Sequence, residues 1–302
     1  MVDIGEIAES GEDINMEGSN MEAAIVYESH LPDALRRALI FAGDDGFVAS
    51  MPQLLHARVN AAYDNIIWNT WFTSNSEECV ATTKQGNHVV VAVHGGGIFA
   101  TPARFLKLYH ASVDRSSELG FTGPFAGKIS AREARDLLEG HLPDGSEIPV
   151  YAYDDFKRGA ADLPRRYAVV LDFDTARKCK SGYQAFDELE DDPLMILRAG
   201  GVEAAAAYLD KARDRGELET IGNWHIFPEI DPDQPQASVL LLYGSPGGDR
   251  AKVYANEGMP HLRGVETEFG LCGSAGMINM GRYVAIAPRN VSTSVRHLPF
   301  AA

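Results

Sequence analysis

The chain has 302 residues, 45% of them apolar, and a formal net charge of −16. A chain of this length and composition can bury a large core, so we expect a globular protein. The acidic balance excludes a protein that coats nucleic acid, because neutralising phosphates needs clustered Lys and Arg. The sequence shows neither an apolar run of about eighteen residues nor a signal peptide, so we expect a cytoplasmic protein that makes no membrane contact.

The first half of the chain predicts a leader, two helices and a hairpin. Residues 1–20 are polar and aperiodic and predict a flexible acidic leader. The stretch "LPDALRRALIFAG" is typical of a helix that ends at Gly43. Apolar spacing from Leu55 to Ile66 predicts one longer helix behind Pro52. Two apolar stretches joined by a Gly-containing turn predict a β-hairpin near residues 77–94.

The second half alternates helix and strand patterns. Ser130 and Glu133 form a capping box that opens a helix closed by Gly140. "YAVVLDFD" and "PLMILRAG" are interpreted as strands, and "VEAAAAYLDKARDRG" as a helix that ends at Gly216. Further strands are predicted in "NWHIFPEI", "ASVLLLYG" and "RYVAIAP".

This order of elements predicts an α/β or mixed α+β fold. We expect a largely buried mixed sheet flanked by helices. The proline-rich stretch "EIDPDQPQAS" divides the chain into a main domain, residues 21–230, and a C-terminal part, residues 231–302, packed on the same core.

The end of the hairpin is the first candidate site. "VVAVHGGGIF" resembles the oxyanion-binding motif of the hormone-sensitive-lipase-like esterases, in which backbone amides beside glycines bind the developing negative charge. The resemblance implies substrate contacts from Gly95, Gly96 and Gly97. His94, at the strand end just before them, is a candidate catalytic base because a histidine can accept a proton near neutral pH. That family also has a Gly-x-Ser-x-Gly elbow; here the similar segment is the cysteine version Gly270–Ser274, which makes Cys272 the candidate nucleophile. The alternative is a tight turn that needs glycine for its backbone conformation.

Two aspartates after a predicted strand form the second candidate site. Asp172 and Asp174 in "VVLDFD" resemble the nucleophile loop of haloacid-dehalogenase-like phosphatases and the metal-binding Asp-x-Asp of glycosyltransferases. The resemblance implies a catalytic Asp172 and a divalent metal held by both carboxylates. Ala176 stands where the phosphatase pattern has Thr or Val. The alternative is that Asp174 only caps a helix.

Two further loops contribute candidates. Gly244 and Ser245 follow the apolar stretch "SVLLLY" and are predicted to contact substrate, although neither the P-loop nor the dinucleotide pattern is matched. Cys179 stands between two lysines, which favour its thiolate. The alternative is that these residues only form a solvated basic segment.

The charge layout predicts a homo-oligomer. No carboxylate follows Glu268, whereas the leader carries only acidic charges. Attraction between the two ends, within one chain or between copies, would be supplemented by the apolar Leu298 and Phe300. The C-terminal cations are Arg282, Arg289 and Arg296. A solvated acidic tail is the other interpretation.

These features predict a soluble α/β enzyme acting on a small metabolite, for example a hydrolase, with a glycine-rich site around His94. This interpretation requires His94, Asp172, Gly244 and Cys272 to meet at one edge of the sheet. The alternative is a non-catalytic ligand-binding or self-assembling structural protein, which we prefer if these residues lie apart. The sequence indicates no cofactor other than a divalent metal.

Overall fold

The computed structural model describes most of the chain. The predicted leader, residues 1–20, lies outside the described ranges, and so do Leu298 and Phe300. The described ranges are residues 21–119, 127–158, 163–216, 219–225, 227–244, 269–272 and 281–289.

The structure is built from both helices and strands. The strands are β1 (Met21–Glu28), β2 (Phe47–Val48), β3 (Phe72–Thr82), β4 (His88–His94), β5 (Gly127–Lys128), β6 (Val150–Ala152), β7 (Tyr167–Asp172), β8 (Gly182–Ala185), β9 (Thr220–Trp224), β10 (Gln236–Gly244), β11 (Phe269–Cys272) and β12 (Gly281–Pro288). The helices are α1 (Leu31–Ala42), α2 (Met51–Asn60), α3 (Ile66–Asn69), α4 (Pro102–Leu119), α5 (Ala131–Leu138), α6 (Tyr153–Lys157), α7 (Phe173–Lys178), α8 (Phe186–Leu189), α9 (Pro193–Ala199) and α10 (Val202–Asp214). Short 3-10 turns span Ile98–Ala100 and Phe227–Glu229.

The strands form two sheets. The small sheet has the order β1-β12-β2 and is antiparallel. The large sheet has the order β6-β7-β4-β3-β10-β11-β9-β8, with β5 paired to β10. Two of its pairs, β6 with β7 and β11 with β9, are parallel and the others are antiparallel. The large sheet is therefore mixed, and the predicted mixed α+β fold is confirmed.

The large sheet is covered on both faces, as β4 shows. Val90 and Ala92 belong to the hydrophobic cluster that also contains residues of α2, α9 and α10, whereas Val91 and Val93 belong to the cluster with residues of α1, α4 and α5. Alternate residues of a strand point to opposite faces, so a strand between two layers must be apolar throughout. This explains the unbroken run from Val89 to Val93.

The predicted hairpin is β3 and β4, paired from Ser76 opposite His94 to Thr82 opposite His88. Gly86 in its turn has φ 87°, a left-handed conformation that favours glycine. The capping box of α5 is also present, with Ser130 N and Glu133 Oε2 2.9 Å apart.

Two predicted elements differ from the structure. "PLMILRAG" is helix α9 rather than a strand: Asp192 caps its first turn by accepting from Met195 N at 2.8 Å, and Gly200 ends it at φ 93°. The predicted longer helix is two helices, because α2 ends at Asn60 and the extended Ala61 follows it.

The two ends of the described chain meet in the small sheet. β1 pairs with β12 along its length, so that Tyr27 lies opposite Arg282. The Arg282 guanidinium lies 4.6 Å from the ring centre of Trp71 and 5.1 Å from that of Tyr27. In the large sheet β10, from the predicted C-terminal part, pairs with β3, from the predicted main domain. The boundary between these two parts at residue 231 stays a prediction.

In the described ranges, no helix is long and apolar enough to cross a membrane.

Candidate functional site

The His94 side chain connects three elements in the core. It is fully buried, and its Nδ1 accepts a hydrogen bond from Ser76 Oγ at 2.9 Å while its Nε2 donates to the Leu197 carbonyl at 3.1 Å. Ser76 Oγ in turn accepts from Met51 N at 2.9 Å. Burial lowers the pKa of His94 to about 4, so the ring is neutral near pH 7. Ser76 and His94 have the spacing of a nucleophile and its base. Their other hydrogen bonds, to Met51 N and the Leu197 carbonyl, connect α2, β3, β4 and α9 and thus give the two side chains a structural role.

The glycine turn after His94 wraps around β3. Gly95 N and Gly96 N each donate to the Asn75 carbonyl at 2.9 Å. Gly95 and Gly96 have φ angles of 83° and 103°, so both positions favour glycine. A Cβ atom at Gly97 would lie 1.7 Å from Glu77 Oε1. The three glycines are thus required by close packing.

Glu77 is the acceptor for the next two amides. Its carboxylate is 2% exposed and accepts hydrogen bonds from Ile98 N and, at 3.1 Å, from Phe99 N. Burial raises the Glu77 pKa to about 7, and the two amides oppose that shift. The amides of Gly95, Gly96, Ile98 and Phe99, which an oxyanion site would use, therefore already have protein acceptors.

The space beside this turn is small. A cavity of about 10 Å³ is lined by side chains that include Ser76, Glu77 and Tyr283. That volume is close to the minimum for one water molecule. A catalytic His94 and substrate contacts from Gly95, Gly96 and Gly97 stay predictions, and this cavity gives a substrate no room.

The strand register separates the predicted catalytic residues. His94 lies opposite Tyr167, whereas Asp172 lies opposite Val89 at the other end of the same antiparallel pair. Five residues at about 3.4 Å each put the two roughly 17 Å apart along the sheet. The expectation that His94 and Asp172 meet at one sheet edge is therefore wrong.

The two aspartates form local contacts. Asp172 caps α7, accepting from Thr175 N at 2.8 Å and from Thr175 Oγ1 at 3.0 Å. Asp174 pairs with Arg177 at 3.2 Å on the exposed surface. In the part of the chain that the structure describes, no three His, Cys, Asp or Glu side chains are placed to hold a metal ion. The cap is therefore Asp172, and the expectation that Asp174 caps the helix is wrong, because Asp174 already lies inside its first turn. The metal site stays a prediction without a third ligand.

The remaining candidates lie on β10 and β11. Cys272 is the last residue of β11 and pairs through its backbone with Leu241. It thus stands in an extended strand and not on the sharp turn of a nucleophile elbow. Gly244 ends β10 opposite Phe269, and Ser245 lies outside the described residues. Their substrate contacts stay predictions.

A larger cleft lies elsewhere, between α7, β8, α8 and the start of α9. Its volume is about 430 Å³, within the range of small-molecule sites. Its walls include Thr175, Lys178, Lys180, Gln184, Glu188 and Asp192. Lys180 and Glu188 pair at 3.0 Å, so these two charges compensate each other.

Asp192 is a buried residue of the cleft wall, and Cys179 in the same wall is half-buried. Burial and the Asp192 carboxylate raise the pKa of the Cys179 thiol to about 12. The expectation that the neighbouring lysines favour a thiolate is wrong, because burial outweighs them. Burial also raises the pKa of Asp192, which is 7% exposed. The cleft therefore holds a thiol that stays protonated and a desolvated carboxylate.

A buried polar network continues from Asp192 into the core. Asp192 Oδ1 accepts from Asn223 Nδ2 at 3.0 Å, and Asn223 Oδ1 accepts from Arg198 at 2.5 Å. Arg198 also donates to both Glu78 oxygens, at 2.7 and 2.9 Å. Both side chains of this ion pair are fully buried. Nearby, His225 Nε2 donates to the Cys179 carbonyl at 3.0 Å. The network fixes α9 against β3 and β9, which makes this side of the cleft rigid.

Comparison with known proteins identifies the fold alone. No known protein family and no curated protein matches the sequence. A solved structure described as "Accommodation of massive sequence variation in Nanoarchaeota by the C-type lectin fold" is similar, with a TM-score of 0.59 and 24% sequence identity. The match covers 91% of this chain and all of that one. The chain thus has a fold similar to that C-type lectin fold.

Proposed function

We propose that the chain is a non-catalytic ligand-binding protein whose site is the cleft formed by α7, β8, α8 and α9. The observation that best supports this function is the contrast between the two candidate sites. At the glycine turn the polar groups bond to one another around a water-sized space. The cleft, in contrast, combines a volume of about 430 Å³ with polar side chains on its walls.

The similarity to a C-type lectin fold supports binding over catalysis, because lectins are named for ligand binding. The structural neighbour is reported to accommodate massive sequence variation. This chain separates a packed interior from an exposed surface in a way that suits such variation. The Glu78–Arg198 network is internal, while cleft residues such as Lys178 and Lys180 are exposed. Exposed positions can change with little effect on the core.

A hydrolase is not supported by the described residues. The amides beside the glycine turn are occupied, and the Cys179 thiol in the cleft has a raised pKa. A nucleophile needs a lowered pKa or an adjacent base.

Amide chemical shifts of the isotope-labelled full chain test this function. The probes are amino acids, hexoses and nucleoside monophosphates at millimolar concentration. At least one class should shift the amides of residues 175–193, and the probe should remain chemically unchanged. Absence of any shift there with every probe, or conversion of a probe into product, would overturn the proposal.

Two matched substitutions on α7 locate the site. Thr175→Trp places a large ring in the cleft and should abolish these shifts. Asp174→Trp adds the same ring at the neighbouring exposed position and should preserve them, because Asp174 does not line the cleft. Thermal unfolding of both variants shows that each is folded. Equal effects of the two substitutions would place the site elsewhere.

A further inference from the structure

The charges of the cleft are compensated unevenly. Lys180 and Glu188 form an ion pair, and Glu188 also accepts from Ala185 N at 3.1 Å. Among the residues that the structure describes, neither Lys178 nor Asp192 belongs to an ion pair. The cleft therefore presents one cation and one anion without direct partners of opposite charge.

The Asp192 carboxylate is held in place without a cation in contact. Its Oδ1 accepts from Met195 N and Asn223 Nδ2, at 2.8 and 3.0 Å, and the Cys179 thiol also donates to the carboxylate; these donors are neutral. The Arg198 guanidinium is bound to both oxygens of Glu78 and lowers the Asp192 pKa only through space. A buried carboxylate gains most from a partner of full positive charge.

Lys178 supplies the opposite charge at the more exposed side of the cleft. It stands in the last turn of α7, where a cation also interacts favourably with the helix dipole. Its ammonium is exposed and can therefore bind an anion without breaking an internal contact.

We propose that the cleft binds a small zwitterion, with the ligand's ammonium group on Asp192 and its carboxylate on Lys178. This inference rests on the proposed function and names its ligand class. A molecule with both charges satisfies the two cleft groups at once. A singly charged molecule leaves one of them uncompensated, and a neutral sugar leaves both.

Calorimetric titration of the full chain with a charge-matched series tests the ligand class. The zwitterions are alanine, β-alanine and 4-aminobutyrate, which differ in the separation of their charges. Propylamine and propionate carry one charge each. The best zwitterion should bind at least about tenfold more tightly than either singly charged molecule. Equal binding of propylamine or propionate would overturn the inference.

Substitutions distinguish charge from shape. Asp192→Asn keeps an oxygen for capping α9 but loses the charge, and should weaken zwitterion binding at least about tenfold. Lys178→Gln should weaken it about two- to fivefold, because the lysine is exposed. The matched controls Asp191→Asn, next in the chain but exposed, and Lys107→Gln, exposed on α4, should leave binding unchanged. Unaltered binding in both cleft variants would overturn the inference.

The failure of this inference differs from the failure of the proposed function. If zwitterions do not bind but a hexose or nucleotide shifts the amides of residues 175–193, the ligand class is wrong and the site is right. If nothing shifts these amides, both are wrong. Thermal unfolding of Asp192→Asn and Lys178→Gln shows whether lost binding reflects lost folding.

Discussion

Replacing Arg198 by Met should destabilise the protein strongly. Arg198 is fully buried and bonds to Glu78, Asn223 and the Trp224 carbonyl. Methionine fills part of the space but leaves the buried Glu78 carboxylate without its counter-charge. Removing one partner of a buried ion pair costs about 3–5 kcal/mol. With an unfolding entropy of about 2.1 cal/mol/K per residue, a loss of this size lowers the melting temperature of a 302-residue chain by roughly 5–8 °C.

Circular dichroism melting and urea unfolding measure this loss. The matched control is Arg213→Met, which removes an exposed arginine paired with Asp187, Glu190 and Asp210 on the surface. It should change stability far less, because water already solvates those charges. The double variant Arg198→Met with Glu78→Leu should regain part of the loss, since no unpaired charge remains. If Arg198→Met is as stable as the control, the buried network does not hold α9 in place.

Five further substitutions, one of them a control in the hairpin turn, test the glycine turn and the helix cap. Glu77 keeps its proton up to about pH 7 in the folded protein but only to about 4.5 when unfolded, so its contribution to stability falls by about 3 kcal/mol as pH rises between these values. Glu77→Gln should remove this fall. If urea unfolding gives the variant and the unchanged protein the same dependence of unfolding free energy on pH, the explanation is contradicted. His94 has the opposite dependence, and stability falls as pH drops from 6.5 to about 4, because only the unfolded chain takes up the proton in this range. His94→Gln should therefore lose this dependence of the unfolding free energy on pH. Gly97→Ala should lower the free energy of unfolding by about 2–5 kcal/mol, because its Cβ displaces Glu77 from two amides. Gly86→Ala, which has open space around it, should lower it by about 1 kcal/mol. Similar losses in the two variants would refute the close-packing explanation. Asp172→Ala should cost about 0.5–2 kcal/mol through loss of the α7 cap, and an unchanged free energy of unfolding would contradict that role.

Local signals in the sequence predicted much of the fold. The capping box at Ser130 and Glu133 and the turn at Gly86 depend on neighbouring residues only, and the structure has both. The prediction of a strand at "PLMILRAG" was wrong, because a short apolar run has no period that distinguishes a buried strand from a buried helix. The cap Asp192 and the stop at Gly200 were the signals that could have identified α9.

The polar core could not be predicted in this way. Glu77 and Glu78 lie in a stretch of mostly polar residues, so nothing in the local sequence indicates that both are buried. Their partners, however, are the amides after the glycine turn and Arg198, far away along the chain. No local pattern joins Glu78 to Arg198, because the ion pair exists only after α9 packs against β3.

The cleft was missed for a similar reason. Cys179 drew attention through its lysine neighbours, and these do flank the cleft. Its burial and its contact with Asp192, which raise its pKa, depend on how α7 and α9 pack. The sequence thus drew attention to a segment that lines the cleft, but it indicated a reactive thiolate where burial raises the thiol pKa.

The position of a bound ligand in a crystal structure tests the central claim most directly. Crystals of the full chain grown with the probe that gives the largest amide shifts should show that probe in the cleft between Lys178 and Asp192, chemically intact. A probe bound beside Gly95, Gly96 and Gly97, or found there as a reaction product, would contradict the claim that the cleft is the site and that the protein is not an enzyme.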